Sequence, residues 1–156
     1  MNITNPQKAV ELSLGSLLIS GNAAPTTDGN LGMIPPLTDF DKTNEYYLQQ
    51  TAANWKKFTD RFTNIGINVT AKDGKKYMIK FLLGTDAVHG DQHTTGNVLF
   101  PHNIGLSCTR NPSHYKNVGF WVKESLKKVG FNYAFAPTVA TSHNPQWGRF
   151  YETNGQ

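Results

Sequence analysis

The hydrophobic positions fall into short blocks whose spacing changes along the chain. Between Leu14 and Ser20 they are almost continuous, and they close on Gly21-Asn22, followed by Ala23-Ala24-Pro25. A run of that length bounded by turn residues predicts a buried strand entering a turn. Residues Thr26 to Thr38 are rich in Gly, Pro, Asn and Thr and predict a loop. From Leu48 the apolar side chains recur at Ala52, Trp55, Phe58, Phe62 and Ile65. Steps of three and four put them on one face of an amphipathic helix, which Gly66 is expected to stop. That aromatic stripe is expected to face a core, not a ligand.

Asp73-Gly74 is a turn signal, and Tyr77 to Leu83 then reads as a mostly buried strand running into Gly84. A loop rich in glycine and histidine follows, from Asp86 to Asn97. Asn111-Pro112 opens a second helix, with Asn as the N-cap and Pro at the first helical position. Its apolar stripe is Tyr115, Val118, Val122, Leu126 and Val129, and Gly130 sits where a C-cap glycine belongs. Phe131 to Val139 is a third strand candidate. Strand, helix, strand, helix, strand is the order of a parallel α/β architecture, and the connections are long enough for right-handed crossovers. There is no internal repeat. The 156 residues make one ordinary domain by length. A closed eight-stranded barrel needs roughly 250 residues, so this length suits an open sheet.

Composition narrows the function classes. With 38% hydrophobic and 17% charged residues the chain has the means to bury a core and is not of disordered type. The net charge of +4 comes from scattered basic residues. The denser clusters, Lys72 to Lys80 and Lys123 to Lys128, lie beside apolar residues in periodic segments. No basic stripe with stacking aromatics stands out, so no nucleic-acid partner is expected. No run approaches the ~18 apolar residues of a membrane span, and no membrane partner is expected. Ala9 to Ser20 has the look of a signal-peptide core, but Glu11 interrupts it and only Lys8 precedes it, so it reads as structure. Asn2-Ile3-Thr4 and Asn68-Val69-Thr70 match the glycosylation pattern, which is short enough to arise by chance. Cys108 stands alone and cannot form an intramolecular disulfide; its apolar context predicts a small buried hydrophobe.

Polar residues gather just after two predicted strands, at Gly84-Thr85-Asp86-Ala87-Val88-His89-Gly90 and at Ser142-His143-Asn144-Pro145-Gln146-Trp147-Gly148-Arg149. Ligand sites of parallel α/β proteins form at this end of the strands. A carboxylate at Asp86 is able to accept from adjacent hydroxyl groups, or equally to cap a following turn. Arg149 is able to donate to another hydroxyl while partnering a carboxylate. His89, Asp91 and His93 invite a metal reading, yet their spacing fits no strong motif, and a loop His usually bonds the backbone. There is no nucleophile elbow and no phosphate-cradling glycine loop. The residues alone therefore describe an α/β protein with a polar site at its strand ends.

GTDAVHG at Gly84 to Gly90 and FPHNIGL at Phe100 to Leu106 are similar to the signature stretch of glycoside hydrolase family 3. FAPTVA at Phe135 to Ala140 and NPQWGRFYE at Asn144 to Glu152 continue the resemblance in order and at the right intervals. LGSLLISGNAAP, Leu14 to Pro25, resembles the family's first barrel strand and the turn after it. The resemblance spans nearly the whole chain and is strongest from Gly84 to Glu152.

It implies a partial (β/α)₈ barrel, with residues 1–156 forming the N-terminal portion and roughly the first three strands with their helices. The full-length family releases terminal β-linked glucose from β-glucosides or β-glucans by a retaining two-carboxylate mechanism, without a cofactor or metal. The resemblance carries over two substrate-binding residues, Asp86 and Arg149, which would grip the hydroxyls of the terminal sugar. The family's nucleophilic aspartate, its Lys-His pair and its acid/base glutamate have no counterpart before Gln156, and neither Glu152 nor Asp91 fills those roles. The chain is accordingly expected to be inactive alone, with no catalytic residue of its own. Its expected partners are a β-glucoside or β-glucan oligosaccharide and the remainder of the barrel, or a second copy. The alternative is a non-catalytic carbohydrate-binding or interaction module derived from a truncated barrel. Many relatives are exported, but the sequence assigns no compartment.

The chain also departs from the family pattern. His143-Asn144-Pro145-Gln146 stands where Arg-Asp-Pro-Arg is common, Thr153-Asn154-Gly155-Gln156 replaces the usual acidic continuation, and the helix before the first strand is reduced to residues around Gln7 to Leu12. These departures bear on the loop geometry around Arg149 and fit a truncated or decaying gene product.

Overall fold

The computed structural model describes residues 5–19, 23–33, 40–141 and 143–155. A parallel sheet organises the site. It contains β1 (Ser16–Leu18), β6 (Leu82–Asp86) and β7 (Tyr133–Phe135) in the order β1-β6-β7. The register pairs Leu18 with Gly84, Gly84 with Tyr133, and Asp86 with Phe135. Side chains alternate across it, as strand geometry requires. Leu17, Leu83, Thr85 and Ala134 face the helical layer, whereas Leu18, Leu82, Tyr133 and Phe135 lie exposed on the opposite face.

The helical layer is α3 (Ala52–Thr63) and α5 (Pro112–Val129). Both begin as their sequences dictate. Thr51 caps α3 by accepting from Asn54 N, and Asn111 caps α5 by accepting from Ser113 N, with Pro112 at the first position. α5 ends on Gly130 in the left-handed conformation, φ +89°. A Cβ at that position would fall 2.2 Å from Thr59 Oγ1, whose hydroxyl donates to Val129 O at 2.7 Å, so only glycine lets the two helices close. Trp55, Phe58, Phe62, Phe81, Leu83, Val122, Leu126, Val129 and Phe131 form the buried cluster between helices and sheet.

The expected succession of strand, helix and strand is thus present, but several segments differ from their sequence reading. The short helix α1 (Pro6–Glu11) precedes β1. The Gly21-Asn22 turn lies outside the described residues. Ala23-Ala24-Pro25, for which the sequence predicts no element, is β2, and the predicted loop contains β3 (Leu31–Met33), its antiparallel partner. Strands this short, carrying Pro and Gly, show no readable alternation. Leu48 is not on the aromatic helix: it lies on α2 (Phe40–Gln49), 65% exposed, with a break at Gln50-Thr51.

Gly66 does not stop α3, which ends at Thr63; it opens β4 (Gly66–Thr70). An added Cβ there would lie 2.4 Å from Ile79 O, so the glycine serves the close pairing with β5 (Lys76–Lys80) across the Asp73-Gly74 turn. Tyr77 to Leu83 is consequently two strands. β5 is exposed throughout, and the chain then breaks at Phe81, whose ring enters the core against Phe62 at 5.7 Å. The third strand is only Tyr133–Phe135 of the predicted Phe131 to Val139. The helix α4 (Asn103–Cys108) has no periodic signal of its own, and Cys108 is exposed because the buried positions of α4 are Asn103 and Leu106. Among the described residues no helix is long and apolar enough to cross a membrane.

Candidate functional site

Asp86 is half-buried at the carboxyl end of the central strand β6. Gly84, two residues earlier on the same face, is covered by aromatic rings. Its added Cβ would lie 2.8 Å from Tyr133 Cδ1 and 3.0 Å from Phe135 Cε2. The Tyr133 and Phe135 rings meet edge to face at 4.9 Å, so the floor beside Asp86 is aromatic.

The loop after β6 is pinned from three sides. Trp55 Nε1 donates to His93 O at 2.7 Å, Thr95 N donates to Gln50 O at 2.8 Å, and Phe100 N donates to His89 O at 2.7 Å. Within it Asp91, fully buried, accepts from His93 N at 3.2 Å and from Asn97 Nδ2 at 2.6 Å. Its carboxylate is therefore occupied in shaping the loop. The metal reading of His89, Asp91 and His93 has no convergent geometry, and among the described residues no group of three His, Cys, Asp or Glu side chains is placed to hold an ion. The His89 ring instead meets His102 at 4.0 Å, and His102 meets Tyr151 at 5.2 Å. Burial lowers the pKa of His89, and the neighbouring His102 lowers it further. Burial likewise lowers that of His93, against an opposing pull from Asp91 and Asp86.

The second strand end supplies the cation. After β7 the chain passes a cis Ala136-Pro137 bond and reaches a 3₁₀ turn at Phe150–Glu152. Arg149 immediately precedes that turn. Its Nε donates to Glu152 Oε1 at 2.8 Å and its Nη2 to Glu152 Oε2 at 2.7 Å, a bidentate fork. The fork holds the Glu152 carboxyl below its ordinary range and raises the already high pKa of Arg149. Asp86 adds to the stabilisation of the Arg149 cation, as the weakest of several contributors. Of the two residues singled out in the sequence, Asp86 thus ends β6, and Arg149 lies beyond β7, held by Glu152.

The profile described as Glycosyl hydrolase family 3 N terminal domain matches residues 43–156. The chain belongs to glycoside hydrolase family 3. Among family relatives, the lysosomal beta glucosidase of Dictyostelium discoideum is 34% identical over 84 residues, which is 54% of this chain and 10% of that protein. The exo-1,3/1,4-beta-glucanase of a Pseudoalteromonas species superposes with a TM-score of 0.67 at 30% identity, over 95% of this chain and 16% of that one. A variant of the same enzyme gives 0.66, again over 95% of this chain, and 20% of its own. This family 3 chain thus spans a small part of the length of the proteins it matches.

Three residues that build this corner, Glu152, Asn103 and Tyr151, stand inside the resembling stretches, but the sequence assigned them no part in the site. Glu152 carries a faint signal, since it stands three residues from Arg149 with opposite charge. Asn103 is marked by the FPHNIGL stretch alone, which says nothing of its contacts. Buried on α4, it donates to Thr138 O at 3.0 Å and Glu152 O at 3.1 Å, joining both halves of the segment after β7.

Proposed function

We propose that this chain forms the first part of a (β/α)₈ catalytic barrel and supplies the subsite that grips the terminal glucose of a β-glucoside or β-glucan. The observation that carries the reading is the place of Asp86 at the carboxyl end of β6 and of Arg149 beyond β7 in the segment that returns to α4, both inside the stretch matched by the family. Three parallel strands with helices on one face, and Leu18, Leu82, Tyr133 and Phe135 exposed on the other, support a sheet that continues around a closed interior. Hydrolysis would follow the retaining route, with a nucleophile and an acid/base carboxylate that this chain does not provide. Asp86 and Arg149 contribute by positioning and by hydroxyl contacts that tighten as positive charge develops on the sugar.

D-glucose titrated into the ¹⁵N-labelled chain is expected to shift amide signals at Asp86 to Gly90 and at Trp147 to Glu152. Asp86→Ala and Arg149→Ala should each weaken the affinity about tenfold to a hundredfold, the worth of a charge-assisted hydrogen bond. An aryl β-glucoside should not be turned over by the chain alone. Absence of sugar-dependent shifts at both strand ends would refute the reading. The exposed apolar sheet face also favours an interaction role, toward the remainder of a barrel or a second copy.

A further inference from the structure

We propose that Glu152 is the positioning residue of the sugar subsite, an inference that rests on the sugar-binding reading of Arg149. The Glu152 side chain is 6% exposed while that of Arg149 is 63% exposed, so a buried carboxylate anchors an open cation. Glu152 is itself fixed. Its Oε2 accepts from Thr138 Oγ1 at 3.3 Å, and its backbone carbonyl accepts from the buried Asn103 amide. The adjacent Glu152 carboxylate also raises the pKa of the Tyr151 hydroxyl.

A guanidinium has five N–H donors. The fork to Glu152 engages the Nε and Nη2 edge, which leaves the Nη1 donors and the second Nη2 hydrogen for the oxygens of a ligand. Without the carboxylate the arginine would sample many rotamers and would have to be ordered by the ligand itself, at the expense of affinity. The buried acid therefore selects the edge of Arg149 that meets the sugar.

Glucose affinity measured by chemical-shift titration tests this, alongside the Arg149 Nε–H resonance. Glu152→Ala should weaken glucose binding about tenfold and broaden or remove the Nε–H signal. Removing a buried anchor risks the fold, so Glu152→Gln serves as the isosteric variant. Glutamine offers one acceptor and one amino group, so the second N–H of the fork meets another donor, and a loss of about fivefold is expected. The double variant Arg149→Ala with Glu152→Ala should bind no worse than Arg149→Ala, because the acid acts only through the arginine. Wild-type affinity in the Glu152 variants, strictly additive losses, or an intact Nε–H signal in Glu152→Ala would overturn the inference. Unchanged binding in Arg149→Ala would overturn the sugar-binding reading itself, and the positioning role with it.

Discussion

At the scale of single residues, burial favours the neutral ring at two histidines, His89 and His93. His93 is almost wholly enclosed, its ring against Trp55 at 6.3 Å, and burial lowers its pKa. The folded chain therefore prefers the neutral ring, whereas the unfolded chain takes up a proton near pH 6.5. The stability this provides is present above that pH and is lost as pH falls below it. Urea midpoints are expected to decline as pH falls below about 6.5. His93→Phe, which keeps a ring beside Trp55, should flatten part of that slope; an unchanged slope would count against the burial argument. Glu152 acts in a separate window. Its lowered carboxyl pKa gives stability that is present above the ordinary carboxylate range and is lost only as pH falls through the lower folded value.

At the scale of elements, α5 is the clearest case of sequence specifying structure. Asn111 and Pro112 start it, Gly130 ends it, and Val122, Leu126 and Val129 are buried as their spacing requires. Asn111→Ala is expected to cost about 1 kcal/mol, the usual worth of an N-cap. Gly130→Ala should cost more, about 2 kcal/mol or above, because the positive φ and the clash with Thr59 add. Chemical denaturation of the two variants checks the order, and equal losses would show that Thr59 yields freely.

Elsewhere the local pattern misleads, for physical reasons. Tyr77 to Leu83 is uniformly apolar apart from Lys80, so nothing in it marks the change from an exposed hairpin strand to the central strand of the sheet. Cys108, a residue type that is commonly buried, falls off the buried face of a helix whose inward positions are Asn103 and Leu106. At the candidate site, the places of Asp86 at the end of one strand and of Arg149 beyond the next are legible, because both follow strand signals. The anchoring of Arg149 is not, since it depends on a 3₁₀ turn and on an asparagine distant along the chain.

At the scale of the molecule, the parallel sheet is clothed by helices on one face only, among the described residues. Leu18, Leu82, Tyr133 and Phe135 lie 42–53% exposed on the other. Such a surface is expected to drive association, so sedimentation should show the chain's average mass rising with concentration. Leu82→Lys combined with Phe135→Lys should suppress that rise, and a monomer at every concentration tested would show that the face is tolerated in water. The net charge of +4 is too small to prevent contact of that kind.

The bond from the Asn103 amide to the Glu152 carbonyl, made across 49 residues, also implies an order of events in time. The buried members of the aromatic core run no further along the chain than Phe131. During synthesis that body emerges from the ribosome ahead of the segment bearing Arg149 and Glu152. The corner that would meet the sugar is then a late product of folding, added to a finished support. A protease cut in the stretch between β7 and the 3₁₀ turn would leave the support standing and take away its arginine.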